Sequence, residues 1–573
     1  MQELDRKPRR SDGKNNRSLF RRTIFLMAVL GVGVFLPLIA QLYKLQIVEH
    51  EDWEKRAANQ QTKNVSVAAN RGTIYDREGR AMAMSATVYK LILSPMGVLG
   101  SVNKDDFKTA DGKEDTAAYE KELYDRRKII VDGIVDLFGY DEERLWSRIE
   151  RINSGYEVLY YELEEEDAEK ARAFISENKL SAGLQLTPSS KRYYPYSSVG
   201  SHVLGFMSQN KTSGDNKVGA QGIEMLYEDV LSGELGRVVT SKNGWGMEMI
   251  SGYEMYFDAQ NGYDVTLTLD ERIQAMLEQT LAEGIETYDV VNGAFGLAID
   301  PQTGAVLGMA STPDFDPNSY GKILNESLQK ELDAIAEGKG KDSDEYIKAL
   351  GDAQQKQWRN RTLSDTYEPG SVFKPITVSM GLEEGLISLD DHYFCGGSKR
   401  VGDRDISCHK HSGHGDQTLT QAVMNSCNVA LMDIGEKLGP EIMWKYFEDY
   451  GLLSTTGIDL VGEVNSYFWT ESSFKGPYGA QSVAVGSFGQ TFKVTPIQMI
   501  TAFAAVINGG HLLEPYLVQS ISDGDGNTVF YHETQEVRQV ISESTSEKLR
   551  GILEQVVQRL YERLSHRRQD GHL

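Results

Sequence analysis

Between residues 367 and 375 the chain reads Tyr-Glu-Pro-Gly-Ser-Val-Phe-Lys-Pro, and its two prolines leave few ways to fold. Pro369-Gly370 breaks whatever precedes it. Pro375 has no N–H and would clash with a carbonyl one turn back inside a helix, so it belongs in or near a first helical turn. The spacing therefore predicts a helix that begins here and continues over residues 376–382. Positions i and i+3 share a helix face, which sets Ser371 and Lys374 side by side at a helix N-terminus.

That pairing suits nucleophilic catalysis. A serine hydroxyl needs a neighbouring base to take its proton. A lysine serves as that base when burial and the positive helix end disfavour its ammonium form. The helix end also offers backbone N–H groups to a developing oxyanion. Ser-x-x-Lys alone is a weak pattern, and it recurs at Ser176–Lys179 and Ser327–Lys330 with no such context.

The net charge of −24 argues against a nucleic-acid partner, which needs a basic face. The basic residues that matter are local. Arg6, Lys7, Arg9, Arg10, Lys14, Arg17, Arg21 and Arg22 crowd a 1–22 tail against Glu3, Asp5 and Asp12. Residues 23–42 then carry no charge at all. Twenty residues at ~1.5 Å each span the ~30 Å hydrocarbon core. The basic flank places the N-terminus in the cytoplasm and everything after about residue 45 outside it. The run is longer than a signal-peptide core and lacks a small-residue cleavage site, so it reads as one uncleaved transmembrane helix.

Residues 44–58 continue a helical pattern. Residues 70–80 read as strand, turn, strand, with the turn at 76–79. Helices are expected over 121–138 and 165–177. A domain boundary falls near Gly262, followed by a strand over 263–269, a helix capped by Asp270, and a hairpin over 293–310. Cys395, Cys408 and Cys427 fit no common zinc spacing. His409, His411 and His414 follow Cys408, and the expectation is a His-rich loop, with no metal and no cofactor. A Cys408–Cys427 disulfide, a Cys395–Cys408 disulfide and three free thiols all remain open.

Downstream, Ser426-Cys427-Asn428 closes a helical approach that starts near Gln421. On a turn between helices, a hydroxyl and an amide at this spacing both face one cleft. Together these pieces resemble the class B penicillin-binding proteins, the membrane-anchored D,D-transpeptidases of bacterial cell-wall synthesis. Ser371-Val-Phe-Lys374, with its preceding Glu-Pro-Gly, matches the family's first motif, and Ser426-Cys-Asn428 its second. Arg71-Gly-Thr-Ile-Tyr-Asp76 and Gly222-Ile-Glu224 match the N-terminal pedestal, or dimerisation, domain. Gly486-Ser-Phe-Gly-Gln490, Thr495-Pro-Ile-Gln498 and Asn508-Gly-Gly510 match later landmarks. The motif set is shared with serine β-lactamases.

The resemblance implies an α+β pedestal over 60–255 and an α/β transpeptidase domain over 262–558, serine β-lactamase-like. It implies that Ser371 attacks the penultimate D-Ala carbonyl of a peptidoglycan stem pentapeptide, with Lys374 as base, Ser426 bridging protons and Asn428 holding the substrate amide. β-Lactams would acylate Ser371 as mimics. A membrane glycan polymerase and a cell-wall synthesis complex would be the partners, in cell division or cell-shape maintenance. A non-catalytic membrane scaffold and a membrane-bound β-lactam sensor are the alternatives.

The family's third motif, Lys-Thr-Gly or Lys-Ser-Gly, occurs nowhere in the sequence. By the resemblance, the transpeptidase domain is expected to be incomplete and residues 559–573 to be an aberrant tail, in a copy that labels poorly with penicillin. Codons for residues 564–572, read one base later, can give Tyr-Arg-Ile-Gly-Gly-Lys-Thr-Gly-Thr. A frame shift between about residues 557 and 564 is therefore expected, and resequencing that refutes it would favour the scaffold.

Overall fold

The computed structural model describes residues 13–48, 62–67, 69–109, 113–209, 217–234, 236–241, 255–477 and 479–569. Two compact units form: residues 1–67 with 235–259, and residues 68–234 with 260–573.

In the first unit a helix runs over Gly13–Tyr43 and passes into a short π-helical turn, Lys44–Val48. The remainder of the helix expected over 44–58 lies outside the described residues. Ile24, Phe25, Leu26, Met27, Val29 and Leu30 are all exposed. Near-consecutive helical positions step around the axis, so this stretch of the helix is apolar on every side rather than along one stripe. Among the described residues, no helix is long and apolar enough to cross a membrane. Strand Gly236–Ser241 pairs antiparallel with both Thr62–Val67 and Met255–Phe257.

The second unit is built on a seven-stranded sheet. Its strands Ile74–Tyr75, Ala81–Leu93, Glu157–Leu163 and Leu184–Tyr193 precede Gly262 in sequence, whereas Asp264–Leu267, Val518–Ser522 and Thr528–Tyr531 follow it. The join is parallel, Val265 opposite Ile74 and Thr266 opposite Tyr75. Hydrogen bonding thus continues across the boundary expected from the sequence. The turn at 76–79 is held by Asp76, whose carboxylate accepts from Glu78 N and Arg80 N at 2.9 and 2.7 Å. Helix Glu165–Glu177 forms as expected, and helix Thr116–Phe138 starts ahead of the expected 121, capped by Asp115; they bury Ile130, Ile134 and Ala171 in one apolar cluster with Leu91 and Leu93.

Asp270 caps helix Glu271–Tyr288 by accepting from Arg272 N at 3.0 Å. The expected hairpin pairs Phe295–Ile299 with Val306–Ser311. Around the region that matters most, helices pack into one core. Every residue of helix Lys374–Glu383 from Lys374 to Leu382 is buried. Ile376 and Met380 share that core with Leu431 and Ile434 of helix Asn428–Asp449, Ala502 and Ala505 of helix Pro496–Ile507, and Leu549 and Ile552 of helix Glu543–Gln569. The polar side chains so enclosed are partnered, as burial demands: Thr377 donates to Ser487 O at 2.8 Å, and Ser379 bonds Tyr450 OH at 2.6 Å. The last helix runs without a break past Arg559, whose guanidinium donates to Asn425 Oδ1 at 2.8 Å.

Candidate active site

Ser371 and Lys374 do not share a single α-helix. Gly370–Phe373 forms a 3₁₀ turn, and the α-helix begins at Lys374 with Pro375 in its first turn. The side-by-side placement survives because residues i and i+3 eclipse in a 3₁₀ turn. Ser371 is exposed, and Lys374 is 2 % exposed.

The turn is braced from behind. Gly370 N donates to Gly489 O at 2.8 Å, and an added Cβ on Gly489 would sit 2.2 Å from Gly370 O. Gly489 also has φ +81°, which L side chains disfavour. Gly486–Gln490 was a landmark without a role in the sequence; here it fixes the depth of the Ser371 turn. Gly489→Ala is expected to displace that turn and slow acylation ~100-fold, the scale set by ångström-sized misplacement. Unchanged acylation kinetics in the variant would remove this role.

Ser426 lies between helices Leu419–Met424 and Asn428–Asp449, as its turn residues suggested. A Thr418–Gln421 capping box starts the first helix. The helix ends as Ser426 N and Cys427 N donate back to Val423 O and Ala422 O, both at 2.9 Å. Ser426 then takes φ +50°, a left-handed conformation uncommon for a residue with a side chain. This reversal aims its hydroxyl at the Ser371 turn.

The four sequence-nominated side chains converge. Ser426 Oγ donates to Ser371 Oγ at 2.9 Å. Lys374 Nζ donates to Ser426 O, Ser426 Oγ and Asn428 Oδ1 at 2.6, 2.8 and 2.8 Å. All three ammonium hydrogens are thereby used. Burial still pushes the lysine down to about 8, against the opposing pull of Cys408 and Cys427. With its Oδ1 held by Lys374, Asn428 has Nδ2 left for a ligand; that group reaches Ser407 O only at 3.4 Å. Of the Ser-x-x-Lys matches at Ser176 and Ser327, the second falls on helix Glu326–Lys339 with Lys330 solvent-exposed, whereas Lys179 lies beyond the end of helix Glu165–Glu177.

The geometry is a buried amine, a bridging hydroxyl and an exposed hydroxyl in series. Residues 294–568 match the family model "Penicillin binding protein transpeptidase domain", and residues 66–267 match "Penicillin-binding Protein dimerisation domain". Stage V sporulation protein D of Bacillus subtilis (strain 168) is 30% identical over 545 residues, covering 95% of this chain and 74% of the relative. The chain belongs to the class B penicillin-binding proteins. Peptidoglycan D,D-transpeptidase MrdA of Escherichia coli (strain K12) is 29% identical over 532 residues, covering 88% of this chain and 74% of the relative. Among solved structures, penicillin binding protein 2X from Streptococcus thermophilus superposes with TM-score 0.62 at 20% identity, covering 86% of this chain and 66% of that one. A peptidoglycan synthetase from Bifidobacterium adolescentis gives 0.59 at 23% identity, covering 87% and 82%. This penicillin-binding protein is thus a D,D-transpeptidase by family, with a dimerisation domain and a transpeptidase domain.

What sequence reasoning missed lies behind Ser426. Cys395, Cys408 and Cys427 are all free and buried, so neither disulfide considered from the sequence forms. They converge with His414, whereas the sequence favoured a loop that merely happens to be rich in histidine over a metal site. The signal was present as Cys408, His414 and Cys427, but their spacing matches no familiar ligand pattern.

Proposed function

We propose that this chain cross-links peptidoglycan through an acyl-enzyme on Ser371, with Lys374 and Ser426 as its proton path and Asn428 as a substrate-amide clamp. The observation that carries it is the series Ser371 Oγ, Ser426 Oγ, Lys374 Nζ, with successive separations of 2.9 and 2.8 Å. No direct Ser371–Lys374 hydrogen bond is needed. When Lys374 is neutral, Ser426 turns its hydrogen to Nζ and accepts the one from Ser371.

Ser371 Oγ then bonds the penultimate D-Ala carbonyl carbon of a stem pentapeptide. As the C–N bond to the terminal D-Ala breaks, Lys374 returns the proton through Ser426 to the departing amine. An amine of a neighbouring strand next forms the new amide, the ester C–O bond breaks, and the proton returns to Ser371. A β-lactam enters the same first step but keeps its leaving nitrogen tethered.

Acylation is best read in a chain extended through the family's Lys-Thr-Gly strand, since that triplet is absent from these residues. With the base titrating at about 8, the neutral fraction grows with pH. The acylation rate is expected to climb on raising the pH and to level off above that value. A rate independent of pH across this range would exclude Lys374 as the base.

The uncharged run at 23–42 is proposed as the membrane anchor, supported by the apolar side chains exposed all round the helix at residues 24–30 and by the basic residues before them. The N-terminus is then cytoplasmic and the bulk external. Protease added to intact spheroplasts should digest the chain beyond residue 50, and full protection would reverse the assignment. A membrane glycan polymerase is the partner the family relationship supports, tested by its co-purification with the solubilised chain.

A further inference from the structure

We propose that Cys395, Cys408, His414 and Cys427 form a Cys₃His zinc site that sets the shape of the Ser426–Asn428 turn from behind. Their ligand atoms, three Sγ and one imidazole nitrogen, all lie within 4.8 Å of one another. Cys408 Sγ and His414 Nδ1 are 3.7 Å apart. A tetrahedral zinc with Zn–S near 2.3 Å and Zn–N near 2.1 Å requires ligand separations of roughly 3.6–3.8 Å. The cluster is therefore close to the dimensions of a closed structural site.

The four donors are assembled by tertiary structure. Cys395 ends strand His392–Cys395, and Cys408 follows strand Arg404–Ser407. His414 immediately precedes strand Gly415–Thr418, which pairs antiparallel with His392–Cys395. Cys427 is the N-cap of helix Asn428–Asp449, where its side chain makes no capping hydrogen bond. The three cysteines are 1 %, 1 % and 0 % exposed. Three buried thiols around one imidazole, with no disulfide among them, is the donor set a borderline-soft cation selects. His409 Nδ1 stands 3.8 Å from Cys408 Sγ, beside the cluster rather than within it.

Zinc binding is balanced by proton release. Each cysteine thiol loses its proton as its Zn–S bond forms, while His414 binds as neutral imidazole, so loading releases three protons per ion. The site has a direct mechanical consequence. Cys427 lies between Ser426, with φ +50°, and Asn428, and these two residues supply all three acceptors of Lys374, the Ser426 carbonyl and hydroxyl and the Asn428 Oδ1. A metal gripping Cys427 holds that reversal in place. Zinc is a positioning element here and touches no substrate.

The full chain, solubilised and purified with zinc present, should carry one zinc ion per chain by elemental analysis. After removal of zinc, Co²⁺ should give intense tetrahedral d–d bands and thiolate-to-cobalt charge transfer. Cys395→Ser and His414→Ala should each deplete bound metal, whereas His414→Cys should keep it, because four thiolates also make a closed zinc site. In the chain extended through the Lys-Thr-Gly strand, stripping the metal should slow penicillin acylation ~10–100-fold, and added zinc should restore it. Folded wild-type chain that holds no zinc and shows no cobalt–thiolate bands overturns the proposal without any variant. A metal-loaded chain whose acylation rate is indifferent to zinc overturns the positioning role. The metal measurements are independent of the assignment of Ser371, so the two readings can fail separately.

Discussion

Ser371→Ala, in the chain extended through the Lys-Thr-Gly strand, is expected to abolish covalent labelling by a fluorescent penicillin, down to the background of heat-denatured protein. Alanine removes the only atom at this position that can form the ester. The neighbouring hydroxyl cannot take over, because Ser426 Oγ is engaged by Lys374 Nζ at 2.8 Å and points at Ser371. Ser426→Ala removes the bridge yet keeps the nucleophile, so labelling should persist at a rate lowered ~10²–10⁴-fold, the range of general acid–base contributions. Lys374→Ala should fall at least as far and should lose the rise with pH. The two serines are thus separated by kind: one variant has no labelled product, the other forms it slowly. Labelled Ser371→Ala protein, with the label mapped to another residue, would move the chemistry elsewhere.

The second large effect is on stability, far from the nucleophile. Glu224 is wholly buried between Arg71 and Arg192, with Nε–Oε separations of 2.6 Å to each. Tyr194 OH donates to the same carboxylate at 3.2 Å, and Arg192 also donates to Gly72 O at 2.7 Å. Burial alone would push the Glu224 carboxyl up. The two guanidinium groups outweigh it and hold it below the usual range. Glu224→Ala leaves two almost fully buried cations facing each other, of which only Arg71 keeps a counter-charge, Glu228 at 2.8 Å. Removing one member of a buried pair costs ~3–5 kcal/mol, so a marked drop in the denaturant midpoint of the second unit is expected. A midpoint within experimental error of the native chain would show that water repairs the site. The pH dependence has the matching sign. The stabilisation from the lowered carboxyl is present above the ordinary glutamate pKa and is lost as the pH falls through the folded-state value.

Much of this protein could be read from local chemistry. Pro-Gly and Pro375 determined where the nucleophile helix starts, and the i, i+3 spacing put Ser371 beside Lys374, because steric rules of the backbone act within one turn. The spacing of Leu549, Ile552 and Val556 gives the last helix one apolar face, and that face packs on the core. Asp270 and the turn at 76–79 were legible for the same reason: a cap or turn is satisfied by neighbours two to four residues away. Arg71 and Glu224 were legible as landmarks but not as partners, since nothing in a linear pattern states that residues 153 positions apart exchange a 2.6 Å hydrogen bond. The tertiary structure alone decided three things. It carried Gly489 to the back of the Ser371 turn, where only a glycine fits. It reversed the chain at Ser426 so that a hydroxyl bridges serine and lysine. It also drew Cys395, Cys408, His414 and Cys427 from separate strand ends and a helix cap to within 4.8 Å. Metal ligands spread over 33 positions meet only when strand pairing and helix packing close the loops between them, and the free energy that does so is spread over the whole core rather than written in their spacing.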